Sequence, residues 1–220
     1  MEIHPRLIKK EDLKNKEMNL ARVRGQTKKG LIFVISGPSG TGKTTLAKKV
    51  LQQPQLKDKF ARSVSFTTRP RRSGERQGKD YFFVSAREFR RLLKAKKILE
   101  HTRYLGYDYG TPRAFVEQAE REGLHIVLCL DINGALFLKK AYPERTITIF
   151  VNPPSLRIAK ERILGRSNKT RPEEVDRRIR LASKEVGYAE QYDYCLVNDT
   201  LNKAIKEATK IIQQVLAKQQ

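Results

Sequence analysis

The sequence predicts an α/β protein: a phosphate-loop parallel sheet core flanked by helices, with a small mixed α/β insert and a helical lid. Three observations carry this. Apolar strand-like runs alternate with helix-patterned segments over residues 30–217, the pattern of a parallel sheet. The apolar run Leu31-Ile32-Phe33-Val34-Ile35 leads into a glycine-rich turn, residues 37–44, and then into a helix-like segment. Strand-like segments cluster between 66 and 105 instead of alternating with helices. That block, about 66–111, is set apart as an insert beside the sheet.

Taken in order, residues 1–29 are polar and basic and too poor in apolar side chains to build a core, so they predict a flexible extension. Strand 31–36 and helix 43–52 flank the glycine-rich turn. Residues 62–67 alternate as a strand does, and 81–84 read as another. Ser85 is placed to cap a helix, with Glu88 as capping-box partner and Phe89, Leu92 and Leu93 on one face. Residues 98–104 predict a strand, 106–111 a loop, and Pro112 the first turn of a helix that Gly123 ends. The continuous apolar run 124–130 is that of a central parallel strand and stops on Asp131. Residues 146–151 predict a further buried strand. Helices follow at 155–165 and 172–190, joined by the basic, apolar-free stretch 166–171. A short strand at 195–197 and an amphipathic helix at 200–217 complete the domain.

Composition narrows the partners. The chain has 220 residues, with 46 Lys and Arg against 24 Asp and Glu, a formal net charge of +22. That balance suits anionic partners: nucleotides, nucleic acid or an acidic surface. Cys129 and Cys195 each sit in an apolar run and form no CxxC pair, which predicts buried, reduced thiols and a cytoplasmic protein. His4, His101 and His125 are scattered, which argues against a zinc site. No run approaches the ~20 apolar residues of a membrane span, and the N-terminal segment has no apolar signal core.

The strongest motif is Gly37-Pro38-Ser39-Gly40-Thr41-Gly42-Lys43-Thr44, with spacing GxxxxGK[ST] between strand and helix. Its glycines let backbone N–H groups converge on one anion, and the following helix adds its positive end. Lys43 would reach the β- and γ-phosphates, and the Thr44 hydroxyl would ligate Mg²⁺. Arg69, Arg72 and Tyr81 form a second anion-binding set, and Arg162, Arg166 and Arg178 a third, on the late helices and their basic connection. In so basic a chain, any single arginine has the alternative of being a solvated surface charge. Two phosphate sites and an arginine-bearing lid, about 162–178, together point to phosphoryl transfer between two nucleotides.

Several segments in one order carry a family resemblance: GPSGTGKT, SVSFTTRPRRSGE with GKDYFFV, ILE with YGTP, CLDINGA, ERILGR, VDRRI and LVND. From about residue 30 to the C-terminus the chain resembles guanylate kinases. The resemblance implies a core sheet, a GMP-binding insert and a lid, and transfer of the γ-phosphoryl of ATP to GMP with Mg²⁺. It implies that Gly37 to Thr44, with Thr45, hold the ATP phosphates, with Asn198 and Asp199 by the adenine. The GMP phosphate would meet Arg69, Arg72, Tyr81 and Tyr109, and the guanine Ser65, Glu100, Thr111 and Asp131. The moving phosphoryl would meet Lys43, Arg166 and Arg178, with Arg162 nearby. The chemistry is coherent: a carboxylate such as Glu100 accepts from guanine N1–H and N2–H, whereas it repels the bare N1 lone pair of adenine.

The chain departs from the family pattern in three places. Pro70 and Arg71 are exchanged in the basic turn, Tyr107-Asp108-Tyr109 precedes Gly110, and Cys129 stands where an acid is usual two residues before Asp131. Two other classes are weighed against an active kinase. A catalytically silent guanylate-kinase-like interaction module would be expected to lose the phosphate loop, which this chain keeps. A nucleic-acid-binding protein would use the basic extension, but residues 1–29 contain no Phe, Tyr or Trp to stack on bases.

Overall fold

The computed structural model describes residues 29–165 and 172–219. The basic extension up to residue 28, Arg166 and the rest of the connection 166–171 lie outside the described residues. The core is a five-stranded, wholly parallel sheet in the order β2-β7-β1-β8-β9. Its strands are β1 (Ile32–Ser36), β2 (Phe60–Arg62), β7 (His125–Cys129), β8 (Thr146–Asn152) and β9 (Tyr194–Val197). A second, mixed sheet has the order β4-β3-β6-β5, from β3 (Phe66–Thr67), β4 (Phe82–Phe83), β5 (Ile98–Tyr104) and β6 (Tyr107–Pro112). The helices are α1 (Lys43–Val50), α2 (Ala86–Lys94), α3 (Arg113–Arg121), α4 (Ile132–Ala141), α5 (Leu156–Leu164), α6 (Pro172–Val186) and α7 (Leu201–Ala217).

Strand β1 is buried along its whole length because both faces are covered. Phe33 and Ile35 join Ile149 and Val151 against Leu46 and Val50 of α1 and Ala204, Ala208 and Ile212 of α7. Ile32 and Val34 join Ile126, Leu128 and Phe150 against Val116 of α3 and Ala135 and Leu138 of α4. The period of two sends alternate residues into two separate cores. This double winding places the carboxyl ends of β1 and β7 along one edge, where open α/β sheets bind ligands.

The structure corrects several expectations. The single strand expected at 62–67 is two: β2 pairs with β7 in the core sheet, whereas β3 pairs with β4 and β6 in the other. The loop expected at 106–111 is β6, paired antiparallel with β5. Pro112 is the N-cap of α3 and not a residue of its first turn. The helix expected to run to 190 ends at Val186, and α4 had no sequence assignment. Ser85 caps α2 by accepting from the Glu88 N–H, but the Glu88 carboxylate turns to Arg91, so only half of the capping box forms. Cys195 is exposed, because β9 is an edge strand that buries only Leu196, while Cys129 is half-buried and both thiols are free. Among the described residues no helix is long and apolar enough to cross a membrane.

Candidate active site

A cleft of about 570 Å³ runs from the turn after β1 to the second sheet, with α6 along its side. At one end, Gly37, Ser39, Gly40, Gly42, Lys43, Thr44 and Thr45 line it. Gly37 has φ 133°, and a Cβ there would stand 2.3 Å from the Val151 carbonyl oxygen, so only glycine lets the turn pass this close to β8. Helix α1 starts without a side-chain cap and without an acid in its first turn. The helices α2, α4, α5 and α7 have side-chain caps. The uncapped end leaves N–H groups and a positive dipole for an anion. Lys43 Nζ donates to the carbonyls of Gly37 and Pro38, so its ammonium is held inside the loop. Buried Asn198 braces the loop from behind, its Nδ2 donating to the Thr41 carbonyl at 2.7 Å.

At the other end, β5, β6 and the turn before β4 build a wall of charge and hydroxyls. Arg69 is 6 % exposed; its Nη2 donates to both Glu75 carboxylate oxygens, at 2.8 and 3.0 Å, and its Nη1 to the Pro70 carbonyl. Its guanidinium lies over the Tyr81 ring, which in turn meets Tyr109 edge-on. Glu100 is 4 % exposed; one carboxylate oxygen accepts from the Thr111 hydroxyl at 2.7 Å and the other is buried without a partner. A Cβ at Gly134 would lie 2.9 Å from that second oxygen, so the glycine preserves its space. Burial pushes the Glu100 carboxyl up to about 7; the Thr111 hydroxyl holds it down and nearby Asp131 adds to the rise. Asp131 caps α4 through the Gly134 N–H and accepts from the Thr102 hydroxyl at 2.8 Å.

Along the side, α6 presents Glu173, Glu174, Arg177 and Arg178 to the cleft. Arg178 is buried and paired with Glu174 one turn earlier, while its Nε has no partner. Lys43, Arg69 and Arg178 thus all rest on internal acceptors that a ligand's phosphates can replace.

The guanylate kinase family model matches residues 29–215. The chain is 41% identical to the guanylate kinase of Listeria innocua over 187 residues, which is 85% of this chain and 89% of the relative. It is 38% identical over 185 residues to that of Wolbachia pipientis, 84% and 90% of the two chains. The crystal structure of guanylate kinase from Anaplasma phagocytophilum superposes with a TM-score of 0.70 at 31% identity, covering 86% of this chain and 87% of that one. The chain belongs to the guanylate kinase family. It is a nucleoside monophosphate kinase, an ATP:GMP phosphotransferase.

Within this guanylate kinase, the cleft brings together most residues singled out from sequence: the loop, Ser65, Arg69, Arg72, Tyr81, Glu100, Tyr109, Asp131 and Arg178. Thr111 lies beneath, with its hydroxyl given to Glu100. Pro38 and Thr41 form the back of the loop, tied by the Thr41 hydroxyl to the Pro38 carbonyl. Arg162 is not on the cleft wall; it donates to the carbonyls of Asn198 and Asp199 and so fastens α5 to the turn before α7. Asp199 is exposed and pairs with Lys203. Sequence reasoning missed Glu75, Thr102, Tyr104, Arg177 and Glu174. Thr102 and Tyr104 were within its reach, because they follow Glu100 at a spacing of two on one strand and so share its face.

Proposed function

We propose that the loop end of the cleft holds ATP and the insert end holds GMP, so that the γ-phosphoryl passes between them along α6. The observation that carries this reading is that Lys43 and Glu100 line one continuous cleft. Loop N–H groups would orient the donor phosphates, with Lys43 exchanging the Gly37 and Pro38 carbonyls for phosphate oxygens. Arg69, Arg72, Tyr81 and Tyr109 would fix the GMP phosphate, and Ser65, Glu100, Thr111 and Asp131 the guanine. An oxygen of the GMP phosphate attacks the γ-phosphorus, a P–O bond forms, the bond to the β-bridging oxygen breaks, and ADP leaves. The attacking oxygen is already anionic, so no general base is required and the work is positioning and charge neutralisation by Lys43, Arg178 and Arg166. Asn198 braces the loop, and with Asp199 stands on the side assigned to adenine.

Among the described residues no three His, Cys, Asp or Glu side chains converge as a metal cage. Thr44, a hard oxygen donor, lines the cleft beside the loop, which fits Mg²⁺, an ion that keeps several waters and arrives on phosphates; Thr44 would supply the protein oxygen. When bound, the ion would neutralise charge on the β- and γ-oxygens. Cys129 lines the same wall, and burial pushes its thiol up, so it stays a protonated and poor ligand for so hard a cation. Cys129→Asp is therefore expected to lower the Mg²⁺ concentration for half-maximal rate. An unchanged Mg²⁺ titration in the folded variant would contradict this.

The assignment is tested by coupled measurement of ADP release from ATP and Mg²⁺ with GMP, AMP, CMP and UMP. Turnover with GMP should exceed that with AMP by orders of magnitude. A silent interaction module would give none with any of the four, and equal rates would remove Glu100 as the specificity group.

A further inference from the structure

The turn that leads from β3 into β4 is bonded to the core at two points outside the cleft. Lys48 lies on α1, the helix that begins at Lys43, and its Nζ donates to the Asp80 Oδ1 at 2.6 Å. Arg62, the last residue of β2, donates through Nη2 to the Lys79 carbonyl at 2.7 Å. Both anchors are fixed in the core: α1 buries Leu46, Ala47 and Val50, and β2 pairs with β7. The receiving segment is closed on itself. Asp80 donates its backbone N–H to the Arg76 carbonyl and accepts the Arg76 N–H on its Oδ2, and the Gly78 N–H donates to the Tyr81 carbonyl. A restraint at Lys79 and Asp80 therefore passes to Tyr81, whose ring lies under Arg69 and edge-on to Tyr109 in the cleft. Beside these two bonds the core and the turn do not pack closely. An open groove of about 530 Å³ separates Leu51 and Phe60 of the core from Gly78 and Lys79 of the turn.

We propose that Lys48 and Asp80 are positioning residues for the transfer: their ion pair ties the turn that carries Tyr81, and with it Arg69, to the helix that carries Lys43. The two ends of the cleft belong to separate sheets. Each end binds its own nucleotide without the tie, but the attacking oxygen reaches the γ-phosphorus only when the two ends are in register. When the tie is lost, the insert spends part of its time in other placements, and turnover falls by the fraction of molecules out of register. That fraction is modest, because the side chains of the pair are 41 % and 21 % exposed and the Arg62 bond remains.

The inference rests on the loop end holding ATP and the insert end holding GMP. The test is steady-state kinetics of the full chain with ATP, Mg²⁺ and GMP, each variant read beside its melting curve. It compares wild type with Lys48→Met, Asp80→Asn and the double variant. Methionine is a good helix former, and asparagine keeps an oxygen to accept from the Arg76 N–H. Each single variant should lower kcat by about two- to fivefold, the size that a part-exposed ion pair supports, with both KM values within about twofold of wild type. The double variant should lose no more than the worse single, because the tie is broken once. Charges acting on the phosphates only through their fields would move kcat in opposite directions, since one variant removes a positive charge and the other a negative one. Opposite shifts, losses that multiply in the double variant, or an unchanged kcat in folded variants would overturn the tie while leaving the cleft reading intact. If Lys43→Met and Glu100→Gln also left turnover and the KM for GMP at wild-type values, the cleft reading would fail and this inference with it.

Discussion

Lys43→Met is expected to lower turnover by about 10²–10³-fold or more, the loss typical of one preorganised group that meets charge as it develops. In the free enzyme the ammonium bridges the carbonyls of Gly37 and Pro38. A thioether can neither bridge these oxygens nor follow charge onto the leaving β-oxygen. Loss of the bridge will also loosen the loop, by roughly 1.5–3 kcal/mol for hydrogen bonds to a charged group. Turnover must therefore be read beside a melting curve and a GMP titration. GMP affinity should stay within a few-fold of wild type, because the insert wall does not use Lys43. Turnover close to wild type in a folded variant would exclude this loop as the donor site.

Glu100→Gln is expected to raise the KM for GMP by about 30- to 100-fold, with the KM for ATP nearly unchanged. One oxygen of Glu100 is engaged by Thr111, and the other is buried and unpartnered; in the proposed site that second oxygen would accept from guanine. An amide offers one acceptor only. If its oxygen meets Thr111, its N–H₂ meets guanine's N–H groups; if it is turned over, one guanine donor remains unpaired. Losing a charge-assisted bond of this kind costs about 2–3 kcal/mol. A pH profile separates this from simple damage. The carboxyl stands at about 7 in the free enzyme and must be ionised to accept both donors. The profile of kcat/KM for GMP should thus fall more steeply in wild type as pH drops from 8 to 6 than in the variant, where the GMP phosphate, with a second pKa of about 6, still titrates. Stability moves the other way. The folded carboxyl sits above its usual value of 4.5, so the native state holds a proton that the unfolded chain has released, and stability falls as pH rises from about 4.5 to about 7. The amide removes that penalty, and Glu100→Gln should melt no lower than wild type at pH 8. Equal losses for GMP and ATP, or a pH slope as steep in the variant as in wild type, would show that Glu100 does not contact guanine.

What the sequence alone determined is what contiguous residues decide. The loop from Gly37 to Thr44 was legible because its function depends on residues at fixed offsets between a buried strand and a helix. The central strands were legible from apolar runs that two covered faces require. The fold class followed from those, and the family from the order of the motifs. What only the tertiary structure decided is which distant segments meet. Residues 62–67 alternate throughout, and alternation marks a face but not a sheet; β2 and β3 part because β7 and β6 offer separate edges. Strand β6 is polar and glycine-bearing and has no apolar rhythm of its own. It exists because a two-residue turn at Leu105 and Gly106, both at positive φ, folds it onto β5 with Tyr104 opposite Tyr107. The usual Asn-Gly signal for such a turn is absent, and leucine is a poor advertisement for it. The same holds for the site. Thr111 reaches Glu100 across that hairpin, Asp131 finds Thr102 across two sheets, and Asn198 supports Thr41 from 157 residues away. The raised carboxyl of Glu100 is likewise a matter of tertiary packing, since a pKa responds to the water removed around a group, and packing rather than sequence order removes it.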